Sequence, residues 1–350
     1  MHMADALLAP AVAATMYVAS GTAAGISVHK LKKDDEAQKL PTMAVTAALV
    51  FAGQMINYTI PGTGSSGHMC GGMLLSALLG PQAGFLSMIV ILAIQCLFFA
   101  DGGLMALGAN VWNMAFYGCF VGYYLIWRPI MRSQWFGTDR KAQRARIVAA
   151  SILGCVVTLQ LGAFSVVVET SLSGITELPF GAFLALMQPI HLAIGLVEGL
   201  ITSAVLLFVY ESRPELLMDV VPAEGASARR SLKATIAVLA VLALVVGGGL
   251  SLLASSNPDG LECALFGNSD AGYAEHMGLD EENFGVSSAA ADTAAGIQEK
   301  TSFLPDYAFP GSESPAGTTV SGIVGSAMVA GAALLICAAG GFFRRKNHKA

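Results

Sequence analysis

At 350 residues, 55% hydrophobic and 12% charged, the chain holds about half the charge of a soluble domain, where roughly 25% is usual. Most of it is therefore expected in lipid rather than in water. The formal net charge of -5, with basic residues dispersed along the chain, excludes a nucleic-acid surface.

Apolar stretches near the ~20 residues that cross a bilayer run over about 6–28, 42–60, 84–100, 109–127, 147–168, 181–210, 234–254 and 320–343. A shorter one, MCGGMLLSALLGP at about 69–81, ends in an uncharged Gly-Pro turn and is counted as a short span lying against its neighbours. With these nine, every Lys and Arg except Lys300 falls on one face, in groups after the first, fifth and seventh spans and at the chain end. Eight spans would split the groups. Basic residues stay cytoplasmic, so the amino terminus is expected outside and the carboxyl terminus inside. The predicted fold is an all-α polytopic membrane protein. It comprises a seven-span bundle over 1–215, a polar cytoplasmic linker at 216–233 and a two-span hairpin over 234–350. The six cysteines show no C-x-x-C spacing and read as small packing residues.

The chain starts MHMADALL, and residues 1–28 contain no Lys or Arg. A secretory signal carries a basic region ahead of its apolar stretch, so cleavage is not expected, and His2 is expected free at the outer surface. The α-amine, the amide nitrogen of residue 2 and Nδ1 of His2 close two fused chelate rings, with three nitrogens in one plane. Square-planar nitrogen suits Ni(II) or Cu(II). Of six histidines, His29 and His348 lie among cytoplasmic basic residues, His276 in an acidic outer loop and His191 inside the seventh span. His68 remains, in NYTIPGTGSSGHMCGG, where Gly and Ser permit tight backbone. It is the expected fourth ligand. Ser65 and Ser66 on that loop, Asp5, and Asp101 and Asn110 in FADGGLMALGANVWNM are the expected surroundings. Asp101 or Asp5 would balance the residual charge of the bound metal. The alternative for Asp101 is a turn residue capping the next helix.

His191 and Glu198 lie seven residues apart on one face of the seventh span. Intramembrane ionisable groups are candidates for function, here for transport or for packing beneath the metal. Gly21 and Gly25 form a GxxxG step, read as internal packing or as a docking face. The chain has no G-x-x-x-x-G-K-[ST] phosphate loop, no H-E-x-x-H helix and no G-x-S-x-G elbow, so it is not expected to be an enzyme.

MHMADALL, GTGSSGHMCGG, FADGGLMALGANVWNM and HLAIGLVEGLIT together resemble the substrate-binding membrane (M) component of energy-coupling factor (ECF) transporters for nickel and cobalt. NPDGLECALFG at 257–267 resembles the Pro-Asp-Gly-Leu-Glu signature of the small N component, a two-span hairpin with an outer loop, here fused behind M. The resemblance implies a metal held by Met1, His2 and His68, with Ni2+ or Co2+ as cargo and no resident cofactor. It implies a membrane coupling (T) protein and cytoplasmic ABC ATPases as partners. It also implies the inner membrane of a prokaryote, with the metal site on the outer face. SSGH, FADGG and the fused PDGLE look closer to the nickel branch. Eleven carboxylates over about 255–319 face Lys300 alone. They are expected to enrich cations weakly, with PDGLE making an ordered contact to the M part. A membrane metalloenzyme built on His191 and Glu198, and a metal sensor that does not transport, are the alternatives.

Overall fold

The computed structural model describes residues 1–33, 40–133, 137, 139–175, 177–220, 230–268, 279, 284–312 and 314–347, with backbone alone for 32, 33, 40 and 336–347. His276 and His348 lie outside these residues.

Proline and short polar caps set where the helices begin. Helix α1 (Pro10–Lys33) starts on a proline, whose missing N–H costs nothing in the first turn. Helix α2 (Leu40–Gln54) leads into strands β1 (Tyr58–Thr59) and β2 (Ser66–Gly67), paired antiparallel with Tyr58 opposite Gly67. Helix α3 (Gly72–Leu79) turns at Gly80 into α4 (Pro81–Phe99). Helix α5 (Leu107–Asn110) continues as a π-helical stretch, Val111–Trp127, and then as α6 (Arg128–Arg132). Asp139 caps α7 (Arg140–Leu172) by accepting from the Ala142 amide, and α8 is Phe180–Ser212. The remaining helices are α9 (Leu232–Gly248), α10 (Gly260–Phe266), α11 (Ala289–Thr301) and α12 (Ala316–Asn347).

Among the described residues, five helical segments are long and apolar enough to cross a membrane: 10–31, 81–99, 140–172, 180–212 and 316–335, with shorter apolar helices at 41–54 and 232–248. The protein is a mostly helical, multi-pass membrane protein. Two expected bounds shift. The second apolar stretch stops being helical at Gln54 rather than near 60, because the chain turns into the β1–β2 ribbon, an exception to an all-α reading. The first helix begins at Pro10 rather than near 6, which frees residues 1–9 to run separately into the bundle. Helix α3 is buried at all eight positions. It rises only ~12 Å, so together with the loop before it, it fills the interior rather than standing in lipid.

Helices α7 and α8 meet at Gly195 and Gly199, where the backbone of Val156 and Ile152 approaches closely. The fused part packs on the first part: α9 and α12 lie against α2, and α12 also touches α4. Gly21 and Gly25 behave differently. A side chain at either would meet nothing within 4 Å, so the internal-packing reading of that step fails. Residues near the start of α1, the β ribbon, the α4–α5 turn and α10 gather at one end of the bundle. The end of α1, the α3–α4 turn, α6 and the segment after α8 gather at the other.

Candidate metal site

The terminal segment is threaded into the protein instead of lying free. Met1 is 5% exposed and Met3 is fully buried, which corrects the expectation of an exposed His2: the His2 side chain is 8% exposed. Asn110 grips the backbone of Met3 from both sides, accepting from its amide at 2.8 Å and donating to its carbonyl at 3.2 Å. The Gly103 amide adds a second bond to the same carbonyl at 2.9 Å. Asp5 does not face the donors; its Oδ1 accepts from the Ala106 amide at 2.9 Å and fixes the turn before α5.

This anchoring places the Met1 amine 3.4 Å from Nε2 of His68. The His2 and His68 rings stack at 5.2 Å between centroids, 22° from parallel. Nδ1 of His68 lies 3.1 Å from the Met69 carbonyl. A donor proton on Nδ1 fixes the tautomer and leaves the Nε2 lone pair aimed at the amine. Burial, with the positive amine and His2 adding to it, pushes His68 down to about 3, so the ring is neutral at pH 7. His2 is also lowered, by burial first. Its Nδ1 sits 3.0 Å from Asp101 Oδ1, and its Nε2 has no hydrogen-bond partner among the described residues. The ring nitrogen that a terminal chelate needs is thus turned toward a carboxylate. Asp101 is more than a turn residue, and it is held in turn by the Tyr307 hydroxyl.

Asp259 completes the pocket: PDGLE makes the expected ordered contact here, through a partner, the Met1 amine, that the sequence did not indicate. Its Oδ2 accepts from the Met1 amine at 2.8 Å. Its Oδ1 caps α10 by accepting from Leu261 and Glu262 amides at 2.7 and 2.9 Å, and Glu262 returns the bond to the Asp259 amide as a capping box. Burial works against charge on both Asp259 and the amine. The pairing overrides it, so the carboxyl is held below its ordinary range and the amine raised above its own. PDGLE reaches this place because Ser66 clamps it, with its amide on Pro258 O at 2.7 Å and its hydroxyl on Asn257 O at 2.8 Å. Ser65 closes the ribbon through its carbonyl to Ile60. Gly260 lets α10 sit on α8, since a Cβ there would lie 2.7 Å from Ile190 and 3.3 Å from His191.

Beneath the loop, Glu198 accepts from the amides of Cys70 and Gly71 at 2.7 and 2.9 Å. A buried carboxylate on α8 therefore ties down the backbone that carries His68. Gly71, at φ 84 with Val50 against it, tolerates no side chain there. His191 bonds the Met187 carbonyl through Nδ1 at 2.8 Å, and its buried Nε2 has no partner. A small cavity with room for about one water lies below, lined by Cys70, Asn113, Thr158 and Glu198 among others. Sequence reasoning also passed over Gln298, which stitches the α4–α5 turn by donating to Gly102 O and Cys96 O at 2.8 and 3.0 Å. Among the described residues no three of His, Cys, Asp and Glu converge as a metal cluster. The convergent nitrogens are one amine and two imidazoles, flanked by two carboxylates.

Fold and site together define a polytopic helical membrane protein with a buried, nitrogen-rich pocket built around its own amino terminus. The CbiM family, described as cobalt uptake substrate-specific transmembrane region, matches residues 2–216, and the PDGLE domain matches 233–340. A protein of Archaeoglobus fulgidus named as a fused nickel transport protein, NikMN, is 37% identical over 94% of this chain and 95% of its own. The fused nickel transport protein NikMN of Rhodobacter capsulatus is 30% identical over the same shares, and the cobalt transport protein CbiM of Sorangium cellulosum is 31% identical over 62% of this chain and 94% of its own. A crystal structure of a truncated transition metal transporter aligns with TM-score 0.51 and 31% identity over 60% of this chain and 99% of that one. The chain belongs to the CbiM family and carries a PDGLE domain behind the CbiM region.

Proposed function

We propose that the chain is the substrate-capture subunit of an ECF-type importer, with Ni2+ as the favoured cargo. The observation that carries this is the Met1 amine 3.4 Å from His68 Nε2 inside a buried pocket flanked by Asp101 and Asp259. Nitrogens bound about 2 Å from one metal stand roughly 3 Å apart at adjacent corners of a square. The amine, the His2 amide, His2 Nδ1 and His68 Nε2 form the donor set. Rotation of the His2 ring about Cβ–Cγ frees Nδ1 from Asp101 so that it can join the donor set. A divalent ion with one deprotonated amide keeps a single positive charge, which Asp101 and Asp259 offset. The two NikMN relatives and the nitrogen-only donor set favour nickel. The cobalt description of the family and the CbiM relatives support Co2+ as the second reading.

The arrangement in the membrane follows from the same reading. Nine passes put the amino terminus and the metal pocket outside and the carboxyl terminus inside, in the cytoplasmic membrane of a prokaryote. An M-like unit to about 215, a linker at 216–233 and an N-like hairpin from 234 agree with the two family matches. No phosphate loop is present in the chain, so uphill uptake draws on a membrane coupling protein and ABC ATPases; the chain itself is not an enzyme. The test is metal analysis of the purified full chain, with Ni2+ and Co2+ in competition. One Ni2+ per chain, retained against equimolar Co2+, supports the reading. Preferred retention of Co2+ shifts it to cobalt, and retention of neither ion overturns it.

A further inference from the structure

We propose that a groove at the end of the bundle opposite the metal pocket binds the headgroup of an anionic phospholipid. The groove, about 250 Å3 and open to the surface, lies between the end of α1, the α3–α4 turn and the end of the π-helical stretch. It is separated from the pocket by the length of α1, roughly 36 Å, and does not depend on the metal reading. Among the described residues, Lys30, Arg128 and Arg132 line it against one carboxylate, Asp219, a net charge of +2 for this described lining at pH 7.

Asp219 fixes the geometry. Its carboxylate accepts from the Tyr123 hydroxyl and from Arg132 Nε at 2.8 Å, and stands 3.7 Å from Arg128 Nε. Its neighbour is pinned on both sides: the Met218 amide donates to Ala77 O at 2.8 Å, and its carbonyl accepts from Trp127 Nε1 at 2.9 Å. Asp219 itself adopts φ 60, a left-handed conformation uncommon outside glycine and held where surrounding structure imposes it. Each guanidinium has five N–H donors, and Asp219 engages two of those on Arg132. The arginine side chains are 41% and 56% exposed, so the remaining donors are open to a phosphate. Beside the cations, Leu31, Leu79, Pro81 and Ala83 line the groove together with Gln82 and Tyr124. Cations beside hydrocarbon, at the ends of membrane-crossing helices, match a phospholipid better than a free anion or a polar protein surface. Basic pockets of this kind hold anionic headgroups, each nearby cation contributing about five-fold in affinity.

The test is native mass spectrometry on the full chain in mild detergent, titrated with phosphatidylglycerol, phosphatidylcholine or glycerol 3-phosphate. The expected result is one phosphatidylglycerol bound about tenfold or more tighter than phosphatidylcholine, without glycerol 3-phosphate binding in the same range. Arg128→Gln with Arg132→Gln weakens it about 25-fold. Lys30→Gln, which leaves the Asp219 pairs intact, weakens it about five-fold and keeps the proposal testable if the double variant does not fold. Arg140→Gln, at the same end but paired with Glu211 outside the groove, binds like the unaltered chain. Equal binding of phosphatidylcholine, equal weakening by Arg140→Gln, or glycerol 3-phosphate binding as tightly as the lipid overturns the proposal. So does unchanged lipid binding in Lys30→Gln with lost association of a coupling protein, which makes the groove a protein interface.

Discussion

At the amino-terminal end, Met1, His68 and Asp259 come from segments up to 258 residues apart and lie buried against one another. At the opposite end, Arg128, Arg132 and Arg140 reach into solvent from helix ends and pair with Asp219 and Glu211. The first end holds its donors on backbone or carboxylate partners before any ligand arrives, so binding asks mainly for the His2 ring to turn and the Met1 amine to leave Asp259. The second relies on exposed ion pairs, which are individually weak and screened by salt. Substitutions at the first end should therefore be felt in metal binding, and those at the second should not.

The sharpest way to break this contrast is His68→Ala. It removes a donor and is expected to weaken Ni2+ binding by more than about 100-fold, beyond the 10–100-fold usual for groups behind a ligand. A metal titration on the purified full chain reads it, and a loss under tenfold would place the fourth donor elsewhere. Asn110→Ala leaves all donors in place but releases the Met3 backbone from two side-chain bonds. A roughly tenfold loss is expected in the same titration. If affinity is unchanged, the anchoring of the terminus has no part in binding.

Glu198→Gln sharpens the comparison within the first end. It replaces a carboxylate that accepts from two amides of the His68 loop, and is expected to lower stability by about 1–3 kcal/mol. Metal affinity should fall only a few-fold while uptake falls further, as measured by titration and by accumulation in cells with the partner ATPases. An affinity loss as deep as that of His68→Ala would instead put Glu198 in the site. Smallest of all is Arg140→Gln. Its pair with Glu211 is partly exposed, so stability should stay within about 0.5 kcal/mol and Ni2+ affinity should not change. A clear loss of affinity would mean the two ends are coupled.

Much of the fold was legible because hydropathy marks membrane helices directly, and each of the nine apolar stretches contains helix. The short apolar run before Gly80 was expected to be a span from its composition and from the grouping of basic residues, and a helix, Gly72–Leu79, lies there. Hydropathy does not separate burial in lipid from burial in protein, however. Residues 6–9 read as the start of a span, whereas Leu7 and Leu8 are buried at 1% and 0% exposure in a leg that leads to the pocket. His2 and His68 stood out by residue type and by the Gly-rich setting of His68. Asp259 was legible only as part of PDGLE, whose contact with the first part of the chain was expected; that its partner would be the amine 258 residues away was not. Glu198 was singled out as an ionisable group in the membrane. Its role stayed hidden because its partners are backbone amides, which leave no side-chain signature.

The central claim is that the amino terminus itself binds the metal, and the most direct measurement is Ni2+ binding by a full chain extended ahead of Met1 without cleavage. Extension turns the amine into an amide, breaks its pair with Asp259 and removes one chelate ring. It also forces chain into a place where Met1 is 5% exposed. The account predicts loss of high-affinity Ni2+ binding with cooperative thermal unfolding retained, as read by titration and calorimetry on the same sample. Binding at the affinity of the unextended chain, with the extension verified intact by mass spectrometry, would contradict it.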